Sequence, residues 1–161
     1  MIGYVGGEIL VRIRGKGKHV RIDAKFSIKV IRDGKVVYEA DPTTVITDVG
    51  FDALCDVTGN PTQPDNFDYI AIGTDNTAPA ASQTALGNEV MRQQGTYSHT
   101  TGTKEFTVTT TFDFAAAYSI WESGLFNAAS GGTMLCRGVL DSAVNVESGD
   151  SLQVTWTITF S

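Results

Sequence analysis

The sequence predicts an all-β protein, mainly an antiparallel β-sandwich or barrel, with one or two short helices. Segments near both ends of the chain alternate between apolar and polar residues, which is the pattern of strands that bury one face. The last 60 residues hold several strand-like segments separated by turns rich in Gly, Asn and Asp. This spacing is typical of sandwiches and barrels.

Residues 8–40 are predicted to form a small antiparallel meander. Alternation runs through residues 8–14, is interrupted by two glycines, and resumes from His19 to Arg32. The apolar face of the second segment holds Val20, Ile22, Ala24, Phe26, Ile28 and Val30. Asp33-Gly34 then predicts a hairpin, because a type I′ turn needs positive φ at both central residues. The opposite face carries Lys and Arg, so the meander should have one wet, basic face.

The middle of the chain is predicted to hold the helices. Residues 47–57 form a short helix in this prediction, with Thr47 or Asp48 as its N-cap. Residues 59–66 and 74–84 are loops, and residues 67–73 are a short apolar strand. Residues 85–93 are predicted as a helical turn, weakened by a glycine.

The C-terminal part is predicted to be strands. Even-numbered positions from Phe106 to Phe114 alternate with threonines, which indicates a strand with one apolar face. The final strand is the clearest in the chain, because its apolar and polar residues alternate without a break. Its apolar face holds Leu152, Val154, Trp156, Ile158 and Phe160.

Length and composition limit the class of protein. A chain of 161 residues suffices for one domain with a core, or a core with a small appendage. It has no apolar run of about 18 residues, so no membrane contact is expected. The N-terminus lacks the basic and long apolar regions of a signal peptide. Cys55 and Cys136 are expected to be small buried thiols, since their spacing fits neither a disulfide scaffold nor a zinc motif.

Basic residues are concentrated near the N-terminus. Nine of the 12 Lys and Arg residues lie between Arg12 and Lys35, so residues 1–40 carry a net charge of +5 and residues 41–161 carry −11. We therefore predict a basic N-terminal β segment at 1–40 for assembly contacts and a β-sandwich domain at 41–161. The candidate assembly contacts are Arg12, Arg14, Lys16, Lys18 and Arg21.

The expected partner of the basic segment is an acidic neighbour, including another copy of the chain. Nucleic acid also attracts basic clusters. It is disfavoured here, because the segment has few exposed-looking aromatic residues and no recognisable nucleic-acid-binding module.

The sequence carries no catalytic motif, so we expect no enzyme activity, no cofactor and no metal. No HExxH, CxxC, GxSxG or P-loop motif occurs. Asp65, Asp68 and Asp75 are loop carboxylates of the kind that bind Ca²⁺. They lack the regular spacing of a calcium loop, which favours turn and capping roles.

Glu122 stands among apolar residues, where a lone carboxylate can serve as a general acid. Glycosidases, however, need a second, paired carboxylate. We therefore expect a buried or inter-strand structural contact, with Arg92 or Arg137 as the partner. If catalysis occurred nonetheless, Glu122 and the Asp65–Asp75 loop would be the candidate carboxylate pair.

Four blocks of the sequence, in order, resemble a family of tailed-bacteriophage virion structural proteins with a head-decoration or tail-fibre-like β domain. The blocks are TDVGFDALCD at 47–56, YIAIGTDNTAPAASQTALGNEVMRQ at 69–93, SGLFNAASGGTMLCRGVL at 123–140 and SGDSLQVTWTITF at 148–160. Ser123 departs from the pattern, since a small apolar residue is common there. Residues 1–40 fall outside the resemblance.

This resemblance implies a structural subunit of the virion, assembled in the host cytoplasm. The first expectation is a capsid decoration subunit that stabilises the particle surface. The alternative is a tail-fibre, head-fibre or baseplate adaptor, and the remoter alternative is a carbohydrate-binding module. The expected partners are the major capsid protein or tail subunits, together with further copies of the chain in a homotrimer.

Overall fold

A computed structural model describes residues 3–5, 8–12, 19–40, 42–59 and 66–161. Within these ranges the chain forms twelve strands in two antiparallel sheets and one helix. The elements are β1 (Gly3–Val5), β2 (Glu8–Arg12), β3 (His19–Arg32), β4 (Lys35–Ala40), β5 (Thr43–Ile46), α1 (Asp48–Gly59), β6 (Tyr69–Gly73), β7 (Glu89–Gln94), β8 (Thr96–His99), β9 (Glu105–Asp113), β10 (Tyr118–Phe126), β11 (Met134–Val146) and β12 (Ser151–Phe160). The predicted all-β class, two packed antiparallel sheets with a short helix, is confirmed.

The first sheet has seven strands and is built around β12. Its order is β1-β2-β3-β12-β9-β8, and β4 pairs with β3 beside this path. β12 pairs with β3 from Ser151–Ile31 to Phe160–Ile22 and with β9 on its other side. β3 belongs to the predicted N-terminal segment, so strands from both predicted segments share this sheet. The functional division at residue 40 stays a prediction.

The hairpin between β3 and β4 has the predicted turn. Asp33 and Gly34 adopt φ angles of 51° and 73°, as a type I′ turn requires. This twist matches that of the flanking strands, so the turn sets the register of β4 against β3.

The second sheet has five strands in the order β5-β11-β10-β6-β7. The helical turn predicted at residues 85–93 is wrong, because Glu89–Gln94 is the edge strand β7. Glu, Met, Arg and Gln favour helices locally. Here the free edge of β6 provides backbone partners instead, and this pairing outweighs the local preference.

The core lies between the two sheets. Leu152, Val154, Trp156 and Ile158 of β12 are fully buried, and the Trp156 ring lies 4.8 Å from the Phe26 ring. Each large apolar side chain buried in this way contributes about 1.5–3 kcal/mol before conformational entropy is subtracted.

Ser123 joins the sheets by hydrogen bonds. Its hydroxyl donates to the Ala71 carbonyl oxygen at 3.0 Å and accepts from Trp156 Nε1 at 3.0 Å. A small apolar residue at this position would leave the indole N–H without that acceptor. The departure from the family pattern therefore has a structural role.

Helix α1 covers one end of the second sheet. Thr47 is its N-cap, because Thr47 Oγ1 accepts from the Gly50 amide at 2.9 Å. Gly50 lies so close to the Leu135 backbone that a Cβ would overlap it. None of the described residues belongs to a helix long and apolar enough to span a membrane.

Candidate functional site

The predicted assembly contacts lie mainly outside the described residues. This holds for Arg14, Lys16 and Lys18, whereas Arg12 lies in β2. Arg21 lies on the outer face of β3, with its Nε atom 3.4 Å from an oxygen of Asp23. That outer face is exposed or half-buried along its length and also carries Lys25 and Lys29. The predicted wet, basic face is therefore present on the described part of β3.

Strand β4 forms an apolar edge. Its exposed fractions are 56% at Val36, 55% at Val37 and 38% at Tyr38, and β3 is its pairing partner among the described strands. Natural edge strands usually carry charges or proline to prevent pairing with another chain. Here one ion pair, Lys29 to Glu39 at 3.2 Å, crosses to β3 instead. We call Lys35–Ala40 the β4 edge.

Glu122, Arg137 and Asp75 form a buried ion network. Arg137 Nε donates to Glu122 Oε2 at 2.8 Å, and both side chains are completely buried. Arg137 Nη2 donates to Asp75 Oδ2 at 3.0 Å. The expected structural contact of Glu122 is therefore with Arg137, whereas Arg92 pairs with Glu89 at 2.6 Å.

The network fastens the loop between β6 and β7 to the second sheet. Glu122 also accepts from the backbone amides of Asn88 at 2.8 Å, Gly87 at 3.0 Å and Asp75 at 3.3 Å. Arg137 Nη1 donates to the Thr77 carbonyl oxygen and to Gln83 Oε1. Both oxygens of Glu122 are thus occupied away from solvent. This arrangement holds the loop in place and leaves the carboxylate of Glu122 inaccessible to a substrate.

The loop carboxylates do not meet at one point in the described residues. Asp65 lies outside them, Asp68 accepts from Gln94 Nε2 at 2.7 Å, and Asp75 accepts from Arg137 and from the Thr77 amide. The Thr77 contact is the turn role expected for Asp75. Among the residues that the structure describes, no group of three His, Cys, Asp or Glu side chains could hold a metal ion.

A polar cleft of about 370 Å³ lies at one end of the second sheet. It opens between the segment before β6 and the loop that joins β10 to β11. Its lining consists of Asn66, Asp68, Tyr69, Gln94, Asn127, Ala128 and Ala129, and we call this set the polar cleft. No sequence pattern indicates the polar cleft, because these residues come from three separate segments that meet only through the β7-β6-β10 pairing.

Both walls of the polar cleft are held in place. Arg92 lies 3.6 Å from the centre of the Phe126 ring and donates to the carbonyl oxygens of Ala128 at 3.0 Å and Gly131 at 2.9 Å. On the other wall, the Gly95 amide donates to the Asp68 carbonyl oxygen at 2.6 Å. The cleft is thus shaped before any ligand arrives.

Asp150 and Cys136, which lie outside the cleft, have shifted pKa values. Hydrogen bonds from Arg32, followed by one from the Glu147 amide, lower the pKa of Asp150 from 3.8 to about 2. Burial raises the pKa of the Cys136 thiol well above its ordinary value. Cys136 is buried as expected, but the expectation for Cys55 is wrong, because its position on α1 leaves it exposed.

A family model described as Podophage GP4 fiber I protein gp80 matches residues 51–158, roughly two thirds of the chain. The match runs from α1 to β12 and leaves out β1–β5, together with the nine basic residues of the N-terminal part. Neither a search of curated proteins nor a search of solved structures found a match.

Proposed function

The chain belongs to the family of Podophage GP4 fiber I protein gp80, and from this premise we propose that it is a subunit of a fibre on the phage particle. Membership of the family makes the chain a bacteriophage structural protein and a component of the virion. The fibre alternative agrees with the description of the family, and this match is the observation that carries the proposal. Capsid decoration, the first expectation from the sequence, has no comparable support.

We propose that the subunit assembles with further copies of itself, as a homotrimer, and with other tail subunits. Its charge division supports contact between copies, because a basic segment of +5 can dock on an acidic body of −11. The β4 edge supports the same contact, since it exposes three apolar side chains on the strand next to β3. Closed cyclic symmetry is the usual way to arrange such copies.

The proposed role of the subunit is binding and structural support of the fibre rather than catalysis. The one carboxylate that the sequence offered as a general acid, Glu122, is fully buried and accepts hydrogen bonds at both oxygens. A carboxylate held in this way stabilises the fold, and it has no open position for a substrate.

The location on the particle can be tested by immunogold electron microscopy of intact virions. An antibody against the chain should label tail-attached fibres, with an antibody against the major capsid protein as the control for head labelling. Quantitative mass spectrometry should then give about three to a dozen copies per particle, as expected for a few symmetric fibres. Label spread over the head, with copies on the order of hundreds, would contradict the fibre assignment and support capsid decoration.

A further inference from the structure

We propose that the polar cleft binds a neutral, hydroxyl-rich ligand with the chemistry of a sugar ring. The cleft volume of about 370 Å³ lies at the lower end of the range of small-molecule sites. Such a site would add a ligand-binding role to the structural role proposed above.

The hydrogen-bonding groups of the cleft suit a ring of hydroxyls. Among the described residues, the side-chain amide of Asn66 and the hydroxyl of Tyr69 have no hydrogen-bond partner. Asp68 and Gln94 bond to each other through Asp68 Oδ2 and Gln94 Nε2, which leaves Asp68 Oδ1 and Gln94 Oε1 as acceptors. Asn127 Oδ1 accepts from the Thr133 amide at 2.7 Å, so its Nδ2 remains as a donor. A hydroxyl both donates and accepts, so it can pair with either kind of group.

The geometry favours binding without rearrangement. The Arg92 side chain holds the backbone of one wall at Ala128 and Gly131, and the Gly95 amide holds the backbone of the other wall at Asp68, so the backbone that frames the cleft needs little rearrangement when a ligand enters. Binding to a preformed site avoids part of the entropy loss that weakens association. Tyr69 adds an apolar ring with a polar end, a combination that can contact both the faces and the hydroxyls of a sugar.

The charges argue against an anionic ligand. Asp68 is the carboxylate in the lining, and the cation beside the cleft, Arg92, is paired with Glu89 through two hydrogen bonds of 2.9 and 2.6 Å. The surrounding part of the chain, residues 41–161, carries a net charge of −11. A phosphate or sulfate group would therefore meet repulsion, and the described lining of the cleft holds no cation to pair with it.

The experiment is a titration of the full-length, isotope-labelled protein, followed by the shifts of its backbone amide NMR signals. The probes are D-glucose, D-galactose and N-acetyl-D-glucosamine, with sodium sulfate as the anionic comparison. At least one sugar should shift the amides of residues 66–69, 94 and 127–129, with a dissociation constant on the order of millimolar for such a small open site. Sulfate should leave these amides unchanged.

Two variants and a matched control connect the shifts to the cleft. Asn66→Ala removes an exposed amide with no partner, and Asp68→Asn removes the charge while keeping an acceptor for Gln94. Each should weaken sugar binding about two- to tenfold, the effect of losing one hydrogen bond. Asn76→Ala removes an exposed amide outside the cleft and should bind as the unchanged protein does.

Three results would overturn the proposal: no shift with any of the three sugars, equal shifts with sulfate, or shifts that both cleft variants leave unchanged. Because the titration uses the isolated protein, its failure would leave the fibre assignment untouched. Head labelling of virions would likewise leave the sugar site untouched.

Discussion

Arg137 is the residue on which the loop between β6 and β7 depends. It neutralises Glu122 in the buried ion network and also donates to Thr77, Gln83 and Asp75. We expect Arg137→Ala to lower the free energy of unfolding by about 3–5 kcal/mol, because Glu122 would remain buried without a cation. Urea unfolding followed by circular dichroism measures this loss.

A double variant distinguishes the uncompensated charge from lost packing. Glu122→Gln combined with Arg137→Met removes both charges and should be more stable than Arg137→Ala alone. Lys25→Ala, at an exposed position, should change stability by less than about 0.5 kcal/mol. A loss of under about 1 kcal/mol for Arg137→Ala would contradict the stabilising role given to this ion pair.

The contact between Arg32 and Asp150 should make the protein lose stability in acid. Arg32 donates to the two carboxylate oxygens of Asp150 at 2.8 and 2.7 Å. These bonds lower the pKa of Asp150 from its ordinary value of 3.8 to about 2 in the folded chain. The stabilisation is therefore complete above about pH 4 and is lost as the pH falls through about 2. Urea midpoints measured from pH 7 to pH 2 should fall more steeply for the unchanged protein than for Asp150→Asn.

The control for this pH dependence is Asp141→Asn, a substitution at an exposed position in β11. Its urea midpoints should follow those of the unchanged protein across the acid range. Parallel curves for the unchanged protein and Asp150→Asn would show that the Arg32 contact does not stabilise the folded state.

At the scale of the element, β12 contributes a continuous row of fully buried side chains to the core. Trp156 is fully buried, contacts the Phe26 ring and donates to Ser123, whereas Thr157 points to the half-buried outer face. Trp156→Ala should cost about 3–5 kcal/mol, and Thr157→Ala should cost under about 1 kcal/mol. Denaturant unfolding of both variants tests the difference. Similar losses would mean that the outer face of β12 is covered in the protein as it exists in solution.

The sequence predicted the elements whose signal is local. β3 and β12 show unbroken alternation, Asp33-Gly34 fits one turn type, and Thr47 stands at the start of an apolar helical stripe. It failed for β7, where residues with helical preference pair with β6 because of the sheet around them. The rest depends on which strands become neighbours, and alternation alone does not specify this.

The same limit applies to the sites. Glu122 among apolar residues indicated a buried contact, and its register beside β11 brings Arg137 rather than Arg92 to its carboxylate. The polar cleft has no such local indication. Asn66, Gln94 and Asn127 are far apart in sequence, and each looks like an ordinary loop or strand-end residue until the β7-β6-β10 order is known.

At the scale of the whole molecule, the uneven charge predicts how copies assemble. Replacing Arg12, Arg14, Lys16 and Lys18 by glutamine should weaken self-association and attachment to particles while the sandwich stays folded, because the basic segment loses four of its nine cations. Sedimentation and particle-binding assays measure this effect, with circular dichroism as the check on folding. High salt should weaken the self-association and particle attachment of the unchanged protein in the same way, since exposed charges are screened beyond about 8–10 Å. Equal binding by variant and unchanged protein at both salt levels would rule out electrostatic assembly through this segment.

The position of β12 between β3 and β9 has a consequence for how the chain folds on the ribosome. Ile31 pairs with Ser151 across 120 positions, so β3 emerges long before its neighbour is translated. At typical rates of synthesis this interval is on the order of ten seconds. During that time the apolar face of β3, from Ile22 to Val30, has no β12 to pack beside it. The nascent chain therefore exposes a surface that chaperones recognise, and the first sheet can close only after β12 has left the exit tunnel.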